Sequence, residues 1–148
     1  MDLAVDDIAL RLGGAVAAGI LIGLNRDLQS KPIGMRTLGL VSLGAAAVTV
    51  STIQVPGMTE NPDAMSRVVQ GVIRGIMAGI SFIGAGVILH DRDVKAVHGL
   101  TTAATVWVTA GLGIACGLAA WTTVAIALIL ALLLLVGLGK LEAWLWGE

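Results

Sequence analysis

Apolar residues run along this chain in long blocks, not in the narrow stripes of a water-facing amphipathic helix. Five blocks stand out, at about 8 to 24, 37 to 55, 68 to 89, 99 to 117 and 120 to 139. Each approaches the roughly 20 residues that a helix needs to cross the bilayer core. Between them lie four connections. NRDLQSKPIGMR carries Arg26, Lys31 and Arg36 and is interrupted by Pro32 and Gly34. PGMTENPDAMS carries Glu60 and Asp63, HDRDVKAVH carries Arg92 and Lys95, and the last, Gly117 to Ala120, is short and uncharged. The pattern predicts an all-α integral membrane protein, a bundle of about five transmembrane helices in a single domain over residues 1–148, with no further soluble domain.

Composition agrees with a membrane solvent. The chain is 57% hydrophobic before its 20 glycines are counted and only 13% charged, and its mean hydropathy of +0.94 excludes an ordinary soluble domain. The opening MDLAVDD has Asp2, Asp6 and Asp7 and no base, so it lacks the positive region of a cleaved signal, and the first span is expected to stay in the protein. The single cysteine, Cys116, has no partner within a chain.

Charge placement adds orientation. Arg26, Lys31, Arg36, Arg92, Lys95 and Lys140 fall on one side when connections are assigned alternately, against Arg67 on the other. Cytoplasmic loops accumulate Lys and Arg, so the tally predicts N-terminus out and C-terminus in. Trp144 and Trp146 suit an interfacial belt at the cytoplasmic end.

Glycines and small polar residues divide the spans by role. Gly71, Gly75 and Gly79 share one helix face, as do Ala15, Gly19 and Gly23 in the first span. Small residues let backbones approach where lipid gives no hydrophobic drive, so the third span is expected to be central and gripped by neighbours. Beside its glycine stripe run Arg67, Gln70, Arg74, Ala78 and Ser81. The fourth span offers Thr102, Thr105, Thr109, Gly113 and Cys116, and the second Ser42, Ala46 and Thr49. These polar faces are expected to point inward, either as hydrogen bonds between helices or as a functional cavity. The fifth span is apolar all round and reads as peripheral.

Arg74 lies about 10 Å inside its span, where an arginine costs roughly 3 kcal/mol even on the lenient insertion scale. No acid lies within a span. Its counter-charge is expected from Asp6, Asp7, Glu60 or Asp63, from a carbonyl, or from a bound anion. Arg11 is expected to pair with Asp7 one turn earlier.

Enzymatic chemistry is not indicated: there is no phosphate loop, HExxH, CxxC or convergent Ser/His/Asp set, and no cofactor is implied. His90, Asp91, Asp93 and His98, with Asp27, leave two readings, a hard-cation site or a solvated loop.

Three stretches in this order, GLNRDLQSKPIGMRTLGLVSLGA at 23–45, GISFIGAGVIL at 79–89 and HGLTTAATVWVTAGLG at 98–113, resemble the bacterial MgtC/SapB family of inner-membrane proteins. The resemblance carries over to Gly23, Arg26, Lys31, Gly34, Arg36 and Thr37, to Gly79, Phe82, Gly84, Ala85 and Gly86, and to Gly99, Leu100, Thr101, Thr102 and Trp107. This chain departs from it with Asn25 where the family usually has glutamate, and with Ser81 in GISF. Gln70 and Arg74 stand outside the family pattern. The resemblance implies a multi-pass inner-membrane protein linked to magnesium limitation, acid stress and virulence. It is expected to act either by docking to membrane partners, with the F-type ATP synthase a candidate, or as a transporter or channel for an ion or small solute, Mg²⁺ included. Membrane lipids and further copies of the chain are expected partners, nucleic acid is not. The proline–glycine turn at Pro32 and Gly34 is expected to aim Arg36 and Thr37 at the HGLTT segment.

The charge tally generates a direct test. Reporter fusions within residues 56–66 and after Glu148 are expected to report opposite sides of the membrane. The same side for both would overturn the orientation.

Overall fold

A computed structural model describes residues 3–55, 62–89 and 99–138. The described residues are helical throughout apart from turns: α1 (Val5–Leu28), α2 (Met35–Ile53), α3 (Pro62–Leu89), α4 (Leu100–Gly117) and α5 (Trp121–Leu132), which continues in wider π-helical turns over Leu133–Leu138. Helices satisfy every backbone group internally, the requirement that lipid imposes. All five are long and apolar enough to cross a membrane once α5 is taken with its extension.

Helix ends differ from the hydropathy boundaries for identifiable reasons. α1 runs on through the charged NRDL, because none of these residues breaks a helix, and stops only ahead of Pro32. There Lys31 N–H donates to the Arg26 carbonyl (3.1 Å) and Ser30 N–H to the Asp27 carbonyl (3.0 Å). This is the double closure that usually uses a left-handed glycine, here taken by Ser30 with φ 53°. The α4–α5 turn repeats it with Ala119 at φ 56°, whose N–H meets the Cys116 carbonyl while Ala120 N–H meets Ala115, both at 2.9 Å. α3 starts early with proline in its first position, where the missing N–H costs nothing.

The centre of the bundle is α1, α2 and α4, mutually packed. Ala15, Ile22, Leu38, Ala46, Val106, Leu112 and Cys116 form the shared core. Backbones touch at glycine. A Cβ on Gly19 would lie 2.5 Å from the Leu38 carbonyl oxygen, and one on Gly117 would lie 2.7 Å from Thr49 Cβ and 3.0 Å from the Ala46 oxygen. Gly23 meets the backbone of Met35 and Gly113 that of Ser42 with no room for any side chain. The first-span stripe and the polar seams of the second and fourth spans are therefore interfaces, as expected: Ser42, Thr49, Thr102, Thr105 and Thr109 are all buried. α5 is peripheral, as its uniform hydrophobicity suggests; Val124 is its buried residue, while Ile126, Ile129, Leu130, Leu133 and Leu134 face outward.

The third span corrects the sequence reading. α3 leans on α4 and α2 from outside and is not the centre of the bundle. A Cβ on Gly71, Gly75 or Gly79 would meet nothing within 4 Å. α3 packs inward through its other face, with Ile80 against the core and Gly84 opposite Ala103. The stripe has the composition of an interface, but the neighbours of α3 in this chain occupy the opposite side.

The two glycine stripes should respond oppositely to substitution. Gly19→Ala forces a methyl onto the α2 backbone and is expected to cost about 1–3 kcal/mol, read as a lower unfolding midpoint in detergent. Gly75→Leu with Gly79→Leu fills open space and should leave that midpoint unchanged or slightly raised, since leucine is the better helix former by roughly 1 kcal/mol.

Candidate functional site

The polar residues of the first and third sequence stretches converge where α1 ends and where α2 and α4 begin. The turn after α1 brings Asp27 beside the start of α2, whose N-terminal neighbour Gly34 has no side chain to cap it. The first amides of a helix lack intrahelical acceptors, and the Asp27 carboxylate supplies one by accepting from Met35 N–H at 3.0 Å. A Cβ on Gly34 would run into that carboxylate. Glycine is thus required here for close approach, with Gly34 itself extended at φ −116°. Arg36 and Thr37 follow on the exposed side of α2, and Lys31 is exposed in the turn.

Arg26 is the residue that reaches the HGLTT segment, in place of Arg36. Its place in the last turn of α1 points it into the bundle, and at 2% exposure it is among the largest fully buried side chains. Its guanidinium donates to the Thr102 hydroxyl in the first turn of α4. Its Nε is buried without an acceptor. Next to it, Asn25 accepts from Gln29 through Oδ1 at 3.3 Å, while its Nδ2 is buried and unpaired. Leaving such a donor unmet costs roughly 1–3 kcal/mol, and more when it is charged.

A second arginine holds the other end of the same helix pair. Arg11 pairs with Asp7 at 2.8 Å, as expected, and also donates to the Gly117 carbonyl at 2.8 Å. The two arginines are as far apart on α1 as their partners are on α4, so they hold the antiparallel pair in register at both ends. Gly117 ends α4, where the helix dipole is negative and a cation is favoured. Thr102 lies in the first turn of α4, where the dipole is positive, while Arg26 itself belongs to the last turn of α1, where it is negative, so the two helix ends oppose each other at that contact.

The hydroxyl seam between these ends is largely self-contained. Thr49, Thr105 and Thr109 donate to carbonyls one turn back, of Ala45, Thr101 and Thr105, at 2.7–2.8 Å. Ser42 Oγ is buried without a partner. The seam behaves as packing between helices, the first of the two readings drawn from the sequence.

The middle stretch is placed elsewhere. Gln70 donates to Ser66 at 3.2 Å and Ser81 to the Met77 carbonyl at 2.8 Å, both on the exposed side of α3. Arg74 is exposed between them and pairs with no described residue. The inward polar seam expected for Gln70, Arg74 and Ser81 is corrected to an outward face, because the Val and Ile side of α3 takes the inner position. Gly86 and Thr101 are exposed, and Gly84 is buried. His90, Asp91, Asp93 and His98 lie outside the described residues. Among the described residues no cluster of His, Cys, Asp or Glu is suited to hold a metal.

Sequence reasoning missed Asp27 as a cap and Arg11 as a bridge to α4. The first had a signal: a helix start preceded by Pro and Gly, with no capping side chain of its own, must borrow an acceptor.

A family model described as the MgtC family matches residues 12–144, which is most of the chain. The chain belongs to the MgtC family. Protein SrpB of Synechococcus elongatus is 40% identical over 147 residues, covering 94% of this chain and 79% of that protein. Protein MgtC of Salmonella typhimurium is 41% identical over 109 residues, 74% of this chain and 42% of its own length. Protein SapB of Bacillus subtilis is 37% identical over 114 residues, 75% of this chain and 47% of its own. The chain thus spans most of SrpB but less than half of MgtC and SapB. No solved structure matches it. Family membership with five membrane-length helices makes it a multi-pass bacterial membrane protein.

The Asp27 cap is open to measurement. Asp27→Ala should cost about 0.5–2 kcal/mol of stability, while Asp27→Asn, which retains an acceptor, should cost a fraction of that. Equal unfolding midpoints for wild type and Asp27→Ala would remove the cap from the account.

Proposed function

We propose that this member of the MgtC family is a non-catalytic protein of adaptation to magnesium limitation or acid stress, acting by docking to a membrane protein through the outer face of α3. Family membership supports the physiological setting. The docking reading is carried by one observation, the contrast between two outward helix faces. α5 shows lipid a row of Ile and Leu. α3 shows Gly71, Arg74, Gly75, Ala78, Gly79, Ser81 and Phe82, with Phe82 at 83% exposure. Small residues, a hydroxyl and a guanidinium make poor lipid contacts and good helix contacts.

Arg74 narrows the partner. A guanidinium within the bilayer calls for a counter-charge, and no acid of this chain is in contact with it among the described residues. The fitting partner is a membrane helix with an intramembrane carboxylate and a face that tolerates close approach. The F-type ATP synthase is the candidate that the family resemblance supplies. In the orientation with the N-terminus out, this contact lies in the outer half of the bilayer.

A photo-crosslinking residue in place of Ala78, in cells grown at low magnesium, tests the reading. Membrane-sector subunits of the ATP synthase are expected among the captured proteins, and Gly75→Leu with Gly79→Leu is expected to abolish capture and slow growth at unchanged expression. Crosslinks confined to a second copy would replace the partner with self-association. Capture undiminished by the double substitution would overturn the face.

A further inference from the structure

We propose that the junction of the α1 C-terminus with the α4 N-terminus is a binding site for a phosphate group, held by Arg26, Thr102 and the first amides of α4. Unmatched donors converge there among the described residues. Arg26 is buried with Nε unmatched, and its guanidinium is anchored on Thr102 at the positive end of the α4 dipole. Gly99, which precedes that helix start at φ 88°, has no side chain to cap it, and the first intrahelical bond is Ala103 N–H to the Gly99 carbonyl at 2.8 Å. The amides of Leu100, Thr101 and Thr102 come before that bond, the arrangement that receives anions at helix N-termini. Asn25 adds a second unpaired buried donor on the residue before Arg26.

The nearest acid in sequence forms no ion pair with Arg26. Asp27 spends its carboxylate on the start of α2, and the one ion pair among the described residues is Arg11 with Asp7, which lie at the opposite end of α1. The contrast with Arg11 sharpens the point. Arg11 has a carboxylate beside it, whereas Arg26, in the last turn of α1, pairs with none among the described residues, although it is the more deeply buried of the two. An oxyanion between Arg26 and the first turn of α4 would give the unmatched donors an acceptor. Donor count favours phosphate over a carboxylate, since a guanidinium N–H, a hydroxyl and backbone amides outnumber what two carboxylate oxygens accept in one geometry. Lys31 and Arg36, exposed at the same end, supply a positive field that gathers such an anion. The group belongs either to free phosphate or to a phospholipid headgroup, because this end of α1 is also the end of its span.

The test uses the full chain in detergent, with thermal unfolding followed by tryptophan fluorescence. One arm titrates sodium phosphate against sodium chloride at constant ionic strength. The other dopes the micelles with phosphatidylglycerol, using diacylglycerol as the uncharged control. Saturable stabilisation is expected in one arm, which identifies the source, and Arg26→Lys and Thr102→Val should each weaken the midpoint at least tenfold. Lysine keeps the charge but loses Nε–H and the planar fork, so loss in that variant reports geometry and not net charge. If Arg26→Lys fails to fold, Thr102→Val and native mass spectrometry of the wild type still decide: a phosphate or phospholipid adduct lost in Thr102→Val supports the site. No stabilisation in either arm, or equal stabilisation in wild type and Thr102→Val, overturns it. It is also overturned if the wild type binds neither probe while Asp91→Asn or Asp93→Asn destabilises the protein, because the counter-charge is then the chain's own. None of these outcomes depends on the α3 docking face.

Discussion

Backbone-to-backbone contact at glycine is the constraint on which this bundle rests. In lipid an apolar side chain gains little by leaving its surroundings for another helix, so association depends on how closely helices fit. Gly19 and Gly23 on α1, and Gly113 and Gly117 on α4, let both helices touch α2 at distances that exclude a methyl group. That proximity buries the hydroxyls of Ser42, Thr102, Thr105 and Thr109. It also fixes the register in which Arg11 and Arg26 meet opposite ends of α4.

The architecture was legible in the sequence wherever one physical rule acted alone. Span number followed from hydropathy, the interior position of Thr105 and Thr109 from their shared face, and the peripheral position of α5 from its lack of any polar side. Reading failed where two rules competed. Arg26 looked like a loop residue because charge marks the ends of spans, yet helix propensity carries α1 past it and only Pro32 stops the helix. Gly71, Gly75 and Gly79 looked central because small residues mark interfaces, but composition does not say with what. Ser30 and Ala119 gave no turn signal at all, since both adopt a left-handed conformation that glycine normally advertises.

The candidate site was legible in its parts and not in its pairing. Arg26, Thr102, Gly34 and Asn25 all belong to stretches that stand out in the sequence, but the junction of α1 with α4 joins residues far apart along the chain. Periodicity assigns a residue to a face and leaves the facing partner open. Gly34 illustrates the gap: as a turn residue it was evident, whereas its need to admit the Asp27 carboxylate depends on where α1 ends.

The connections set α3 apart from the other helices. The α4–α5 pair is joined by a turn of three residues, Leu118 to Ala120, and α1–α2 by the short segment after Leu28, so each pair forms a hairpin. α3 is linked to its neighbours by longer stretches on both sides and carries little of the core. Its contact with α4 runs through Gly84 and Ala103, and Ala103 is the residue after Thr102. The seat of α3 on α4 thus lies one residue from the hydroxyl that anchors Arg26, which makes the two helices neighbours of the same buried arginine contact.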